Sequence, residues 1–375
     1  MSEVKGIKYF GPIFNGSGYG RACRANIMAL YKLGVPLTLQ PVDFDKADPE
    51  LGEEGKILAS LVDKDIEYDA KILHTTPEFW KDKIENDKIN VGVTLWETTR
   101  LHPAWKGYIN NSKIAGIMVA CDWNIEVFKN SGITKPLIAV PYPIPVIEKS
   151  SVPKYDIAGL DPNAYVFYFV GQWQERKDPI GLIKAYWRAF QNNENVALVL
   201  KTYRSDYSEP EKEAIRTTIT RLRSVTIYDR YPKLYFISDL LTGAEIKGVH
   251  ALGDCYLSLD RGEGFGMSPA EAGAMGNPII VTRFGGVTEY AKPDNSYLCN
   301  YMLDPVGGMP WIGWYRSDQE WAAADVLHGA ELLQHVFHNQ AEAKEKGLKL
   351  QQYIKNNLSE EVIGGKILAA IDQLR

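Results

Sequence analysis

Residues 254–289 read D-C-Y-L-S-L-D-R-G-E-G-F-G-M-S-P-A-E-A-G-A-M-G-N-P-I-I-V-T-R-F-G-G-V-T-E, and this stretch decides the fold. A short apolar run at 255–259 has the length and composition of a buried strand. A glycine-bearing loop follows, then a helix from Ser268 to about Gly276, a second strand at 278–282, and a turn at Gly285 and Gly286. Strand, helix and strand in that order form a βαβ unit, which sets the two strands parallel in one sheet. The helix start is densely specified. Ser268 suits the N-cap, Pro269 the first helical position and Glu271 the third, the S-x-x-E pattern of a capping box. Gly264 and Gly266 leave the backbone bare just before it. The N–H groups of Phe265, Gly266 and Met267 are therefore predicted to point outward beside the positive helix end, an arrangement that attracts phosphate. Ala270, Ala272, Gly273 and Ala274 make the helix thin enough to lie close on the sheet. Taken alone, these residues serve two readings equally. Either Glu271 only closes its capping box and Glu263 is a solvated loop carboxylate, or both face a ligand. No local structural task is visible for Glu263.

The same alternation runs through most of the chain. Strand candidates lie at 71–74, 90–95, 116–120, 137–140, 166–170, 197–201, 234–237, 255–259 and 278–282, with helical stretches such as 21–33, 179–190 and 210–222 between them. Such alternation predicts parallel sheets covered by helices, with ligands bound beyond the carboxyl ends of the strands. A connector at 141–162 interrupts it with P-Y-P-I-P, S-S-V-P-K-Y and G-L-D-P; proline at that density continues neither a helix nor a central strand. The expectation is an α/β protein with a first domain at 1–162, linker included, a second at 163–350, and a C-terminal helix at 351–375, within an amphipathic helical stretch at 341–375.

Composition narrows the function classes. A chain of 375 residues is long for one core and comfortable for two, and 45% hydrophobic with 24% charged residues is globular rather than disordered. The net charge of -5 supplies no global field toward nucleic acid or an anionic membrane. No apolar run approaches the roughly 18 residues of a membrane-spanning helix, and the first residues lack a signal-peptide core. Cys23, Cys121, Cys255 and Cys299 are far apart and lack metal-ligand spacing, so they read as reduced thiols of a cytoplasmic protein.

The run E-G-F-G-M-S-P-A-E-A-G-A-M-G-N-P-I-I-V-T-x-x-G-G-x-x-E resembles the donor-site signature of the retaining glycosyltransferases with the GT-B fold, family 4, also called glycosyl transferases group 1. Two glutamates separated by seven residues, a G-F-G turn, a small-residue helix, G-x-P and a Gly-Gly turn are all present. The resemblance implies two Rossmann-like domains facing across a cleft, with the C-terminal helix returning to the N-terminal domain. It implies transfer of a sugar from a nucleoside-diphosphate sugar to an acceptor hydroxyl, with retention. Glu263 would contact hydroxyls of the donor sugar, the backbone of Phe265, Gly266 and Met267 would hold sugar and diphosphate, and Glu271 would hydrogen-bond the ribose. The departing phosphate would accept the acceptor's proton, so no protein nucleophile is required. No metal and no cofactor are implied beyond the sugar nucleotide as co-substrate.

Other positions follow from the same resemblance. In F-V-G-Q-W-Q-E-R-K-D-P, at 169–179, the family carries a basic residue after the glycine and a lysine about five later; a diphosphate leaving group needs cationic neutralisation. Lys177 matches the lysine. Gln172 stands where arginine is usual, and Arg176 is either its substitute or a surface charge. Lys201 ends a strand and is a candidate for the phosphate or sugar region; backbone groups at Ile237 and Ser238 border the base. In N-G-S-G-Y-G-R-A, Gly18 and Gly20 would face the diphosphate, and because G-x-G-x-x-G is not satisfied, a dinucleotide fingerprint is rejected. The stretch V-G-V-T-L-W-E-T-T-R-L-H, at 91–102, is similar to the strand end that faces the acceptor; Glu97 occurs where many members carry histidine, either positioning a substrate or serving as a simple loop carboxylate. His74 and His102 read as core or surface residues. The D-x-D at Asp43 to Asp45 is a metal motif of a different transferase fold, and His335 with His338 lacks a third ligand. Trp173, Trp311 and Trp314 are the tryptophans best placed to stack on sugars.

Two other classes stay open: a phosphorylase or sugar-nucleotide epimerase on the same fold, and a catalytically silent glycan- or partner-binding module, which the presence of both glutamates and Lys177 disfavours. Donor sugar, base and oligomeric state are not encoded legibly. The acceptor is a glycan, lipid-linked sugar, protein, small molecule or modified nucleic acid. Negative net charge disfavours the nucleic acid, and the lack of an amphipathic anchor disfavours the lipid.

Overall fold

A computed structural model describes residues 4–42, 51–191 and 195–375. The chain divides into two compact units. One holds Met1–Pro145, Trp314–Gln319 and Ile354–Arg375; the other holds Val146–Gly313 and Glu320–Tyr353.

The first unit is built from β1 (Ile7–Gly11), α1 (Gly18–Lys32), β2 (Leu37–Pro41), α2 (Gly52–Leu61), β3 (Ala70–His74), β4 (Ile89–Val93), α3 (Pro103–Asn110), β5 (Gly116–Val119), α4 (Asp122–Asn130) and β6 (Leu137–Ala139). Its strands are parallel in the order β2-β1-β3-β4-β5-β6. β3 and β5 are buried at every residue, as a parallel sheet covered on both faces requires. Beside the sheet lies an aromatic core. Trp96 and Trp105 meet edge to face at 4.7 Å, and Trp314 and Tyr315 pack against the same cluster.

The second unit contains β7 (Tyr165–Val170), α5 (Pro179–Ala189), β8 (Val196–Lys201), α6 (Glu209–Val225), β9 (Lys233–Ile237), α7 (Gly243–Leu252), β10 (Cys255–Ser258), α8 (Met267–Ala274), β11 (Ile279–Thr282) and β12 (Tyr297–Cys299). These strands are parallel in the order β12-β11-β10-β7-β8-β9. An antiparallel hairpin of β13 (Tyr301–Pro305) and β14 (Glu320–Ala324) follows, then α9 (Val326–His338) and α10 (Gln340–Asn357). The last helix, α11 (Glu360–Gln373), belongs to the first unit and packs on α1.

All nine strands anticipated from the sequence are present, within one or two residues. β1, β2, β12, β13 and β14 were not anticipated; in the first two, Lys8, Thr38 and Gln40 break the apolar runs. The stretch expected as one C-terminal helix is two. The chain breaks after Asn357, and the Ser359 side chain caps the new helix by accepting from Val362 N at 3.3 Å. The four cysteines are free and buried, and none of the described helices is long and apolar enough to cross a membrane.

The contact between α11 and α1 depends on a missing side chain. A Cβ on Gly364 would lie 2.6 Å from Leu33 Cδ1 and 3.1 Å from the Ala29 carbonyl oxygen, whereas one on Gly365 would meet nothing within 4 Å. Gly364→Val should therefore destabilise the first unit by about 1–3 kcal/mol through overpacking. Gly365→Ala should be neutral or slightly stabilising. Thermal unfolding of the two variants checks the contrast.

Candidate active site

In the second unit the chain adds β8 and β9 on one side of β7, then β10, β11 and β12 on the other. The order reverses between β7 and β10. Loops leaving adjacent strands at such a reversal diverge and open a crevice at the carboxyl ends, the standard binding place in open α/β sheets. The loop 171–178 leaves β7 there and the loop 259–266 leaves β10.

Charge and backbone join these loops. Lys177 Nζ pairs with Glu263 Oε1 and lies 3.9 Å from Asp260 Oδ2. Arg176 Nη1 is 3.3 Å from Glu263 Oε2 and donates to the Gly262 carbonyl. The Arg261 N–H donates to the Arg176 carbonyl at 2.7 Å. Glu263 is only 8% exposed, so its attraction to the two cations is little screened by water. The sequence showed no local task for Glu263; the structure gives it one, as the carboxylate that holds Arg176 and Lys177. Arg176 is thus an internal partner of the β10 loop rather than a surface charge. Next along the chain, Asp178 adopts the left-handed region at φ 40° and caps α5 by accepting from Gly181 N at 2.9 Å. Burial pushes its carboxyl up from the ordinary range, against the Gly181 N–H and the charge of Arg261, whose Nη2 lies 3.8 Å away.

The β10 loop is fixed from its other side by the Gly-Gly turn. Gly286 N donates to the Glu263 carbonyl at 2.6 Å. A Cβ on Gly286 would fall 2.1 Å from the Gly264 carbonyl oxygen, and one on Gly285, at φ 78°, 2.7 Å from that of Glu263. Phe265 is buried, with its ring edge to face against Tyr290 at 5.5 Å, and the Tyr290 hydroxyl donates to the Gly266 carbonyl.

The expected capping box is corrected. Gly266, left-handed at φ 81°, is the N-cap, and α8 starts at Met267 with no side-chain cap. The left-handed turn brings the chain into helix two residues early, so Ser268 and Pro269 are already helical and Glu271 lies beyond the third position. Glu271 Oε2 instead lies 3.8 Å from Nε2 of the buried His250.

The remaining donor-side candidates sit at the ends of β8 and β9. Gly171 N donates to the Lys201 carbonyl at 3.1 Å and Thr202 N to the Ile237 carbonyl at 3.0 Å, which aligns the three strand ends. Lys201 is 4% exposed, with Nζ 5.0 Å from the Tyr207 ring centroid and 5.7 Å from that of Tyr203. Burial pushes its ammonium down to about 8, against the opposing charge of Asp239. Gln172 donates from Nε2 to the Arg204 carbonyl at 2.7 Å, so its amide supports the neighbouring loop. Ser238 lines a small concavity with Phe236, Asp239 and Lys212. The Trp173 ring lies 6.5 Å from Phe236, while Trp311 is exposed.

Gly18, Gly20 and Glu97 belong to the first unit. Ser17 caps α1 by accepting from Gly20 N at 3.2 Å. A Cβ on Gly20 would lie 2.1 Å from the Asn15 carbonyl oxygen, but one on Gly18 would meet nothing within 4 Å. A side chain at Gly20 would therefore collide with the preceding turn, whereas Gly18 borders open space. Glu97 is half-buried after β4. Its charge, after burial, raises the Tyr19 hydroxyl, which lies 3.0 Å from Thr94 Oγ1. His74 is a core residue 2.6 Å from the Tyr9 hydroxyl, and burial lowers it to about 3; His102 caps α3 by accepting from Ala104 N. Trp314 packs in the aromatic core, 5.1 Å from the His102 ring. Asp43 and Asp45 lie outside the described residues, among which no group of three or more His, Cys, Asp or Glu could hold a metal.

The sequence reading missed Asp260, Arg261, Tyr290 and His250. A D-R pair between a buried strand and a glycine loop was the available signal for the first two; nothing local marked the others.

Residues 155–303 match the family model described as Glycosyl transferases group 1. Over this segment the chain is similar to that family. No curated protein matches the chain significantly. Among solved structures, the Anabaena protein HepE in complex with UDP and glucose is similar at 13% identity and a TM-score of 0.66, over 98% of this chain and 100% of that one. Sucrose-phosphate synthase from Thermosynechococcus elongatus matches at 13% and 0.66, over 98% and 99%. A glycosyltransferase from Rickettsia africae matches at 13% and 0.64, over 99% of each chain. These likenesses show the fold, two Rossmann-like units of the GT-B class, and the segment that matches the family model holds the whole β7–β10 switch point.

Lys177→Met leaves a buried carboxylate with one partner fewer and should cost roughly 2 kcal/mol. Adding Glu263→Gln to it should restore part of that loss. Urea unfolding of the single and double variants measures the recovery, and strictly additive losses would dissolve the pair.

Proposed function

We propose that the protein transfers a sugar from a nucleoside-diphosphate sugar to an acceptor hydroxyl, with retention. The observation that carries the reading is the cluster of Arg176, Lys177 and Glu263 at the β7–β10 switch point, inside the group 1 segment. UDP and glucose accompany one of the similar structures, so UDP-sugars are the first donors to test.

In this reading the donor diphosphate meets Lys177 and Arg176, and Lys201 supplies a third cation at the neighbouring strand end. Negative charge grows on the leaving phosphate as the glycosidic bond breaks. Cations already fixed by Glu263 and by packing stabilise it without reorganising. Glu263 accepts hydrogen bonds from donor-sugar hydroxyls and opposes the positive charge developing at the anomeric carbon. The acceptor oxygen bonds to that carbon on the face from which the nucleotide departs, and its proton passes to the departing phosphate. Glu271 accepts from the ribose hydroxyls. No metal takes part in this scheme.

Glu263→Gln should leave the fold intact and lower the transfer rate by roughly 10²–10³, the scale of one lost electrostatic contact to a transition state. Wild-type turnover in that variant would remove Glu263 from the site.

Lys201 gives a pH signature. Burial holds it at about 8, below the ordinary lysine value, so the charge is present at pH 7 and lost as pH rises through 8. UDP affinity should fall above pH 8, approaching about tenfold per pH unit if the charged form alone binds. Lys201→Met should bind more weakly at pH 7 and show a flatter profile. Calorimetry across pH 6.5–9 tests both.

A further inference from the structure

Beneath α8 the second unit buries a run of polar side chains that the transfer scheme does not use. Lys149 Nζ donates to Asn277 Oδ1 and to the Gly253 carbonyl, each at 2.6 Å. Asn277 Nδ2 donates to the Tyr168 hydroxyl and to the His250 carbonyl, each at 2.8 Å. The Tyr168 hydroxyl lies 3.0 Å from His250 Nδ1, and His250 Nε2 lies 3.8 Å from Glu271 Oε2. Tyr168, His250 and Asn277 are all fully buried.

Lys149 sets the direction of every proton in this run. An ammonium only donates, so it orients the Asn277 amide with oxygen toward itself and nitrogen toward Tyr168. The Tyr168 oxygen therefore accepts. Burial holds the phenol far above its ordinary range, so it keeps its proton, and that proton goes to His250 Nδ1. A neutral imidazole that accepts at Nδ1 carries its hydrogen on Nε2, the atom that faces Glu271.

We infer that His250 is a positioning residue: Lys149, Asn277 and Tyr168 hold its ring as the Nε2–H tautomer, and that N–H aims the Glu271 carboxylate at the ribose. The inference rests on the proposed ribose contact of Glu271. At 3.8 Å the N–H acts by charge–dipole attraction, within reach of a hydrogen bond after a small side-chain rotation.

The test compares UDP with 2′,3′-dideoxyuridine diphosphate, by calorimetry on the full chain. Wild type should prefer UDP. His250→Leu should weaken UDP about tenfold, the scale of one hydrogen bond to a charged group, and leave the dideoxy compound unchanged. His250→Gln, whose amide nitrogen reaches the position of Nε2, should recover most of the preference. If Glu271→Ala abolishes the preference but His250→Leu preserves it, the positioning role is overturned. Long-range 1H–15N spectra of 15N-histidine-labelled protein give a second readout that needs no ligand, with the His250 signal assigned by its loss in His250→Gln. The Nε2–H pattern is expected in wild type, and a shift toward the other tautomer in Tyr168→Phe, which also serves if His250→Leu fails to fold. An Nδ1–H pattern in wild type overturns the relay. A wild type that binds both nucleotides equally removes the ribose contact of Glu271, while the spectra still decide the relay.

Discussion

A lysine and a glutamate that meet at the reversal point of a parallel sheet set the terms for the second unit. Lys177 and Glu263 come from loops of different strands, and their pairing is what keeps both loops in place. Each charge is largely withdrawn from water, so removing one partner leaves the other less well compensated. The surrounding details follow from keeping the pair in register. Arg176 takes the second carboxylate oxygen, its carbonyl takes the Arg261 N–H, and the Gly-Gly turn takes the Glu263 carbonyl.

Half-buried Lys177 and buried Lys201 show how environment separates roles. Lys177 is matched by the carboxylates of Glu263 and Asp260. Lys201 lies against the faces of two tyrosines, and burial weakens its hold on its proton. Ring faces attract a cation less strongly than a carboxylate does at comparable burial. The aromatic-lined cation loses its charge as pH rises through about 8.

What was legible in the sequence depended on range. Strands buried on both faces appear as unbroken apolar runs, so β7, β8 and β10 were plain, while β1 was hidden by Lys8. The donor-site segment was legible as a motif because its glycines, proline and glutamates lie close together in the chain. Its energetics were not. Lys177 and Glu263 are 86 residues apart, and Lys149 and Asn277 are 128 apart, distances at which no local pattern announces a partner. The capping box failed for a different reason. Ser268, Pro269 and Glu271 carry a sound local signal, but the left-handed turn at Gly266 starts the helix before that signal applies.

The close fit of Gly285 and Gly286 against the backbone of residues 263–264 bears on how such a protein could be redesigned. Two stretches of main chain touch with no side chain between them, so neither can be reshaped without the other. The β10 loop is therefore poorly open to redesign. The segments after β8 and β9, where Tyr203, Tyr207 and Ser238 present side chains, carry no comparable interlock in the described contacts. They are the natural place to vary when a different nucleotide is wanted and the charge framework is to be left untouched.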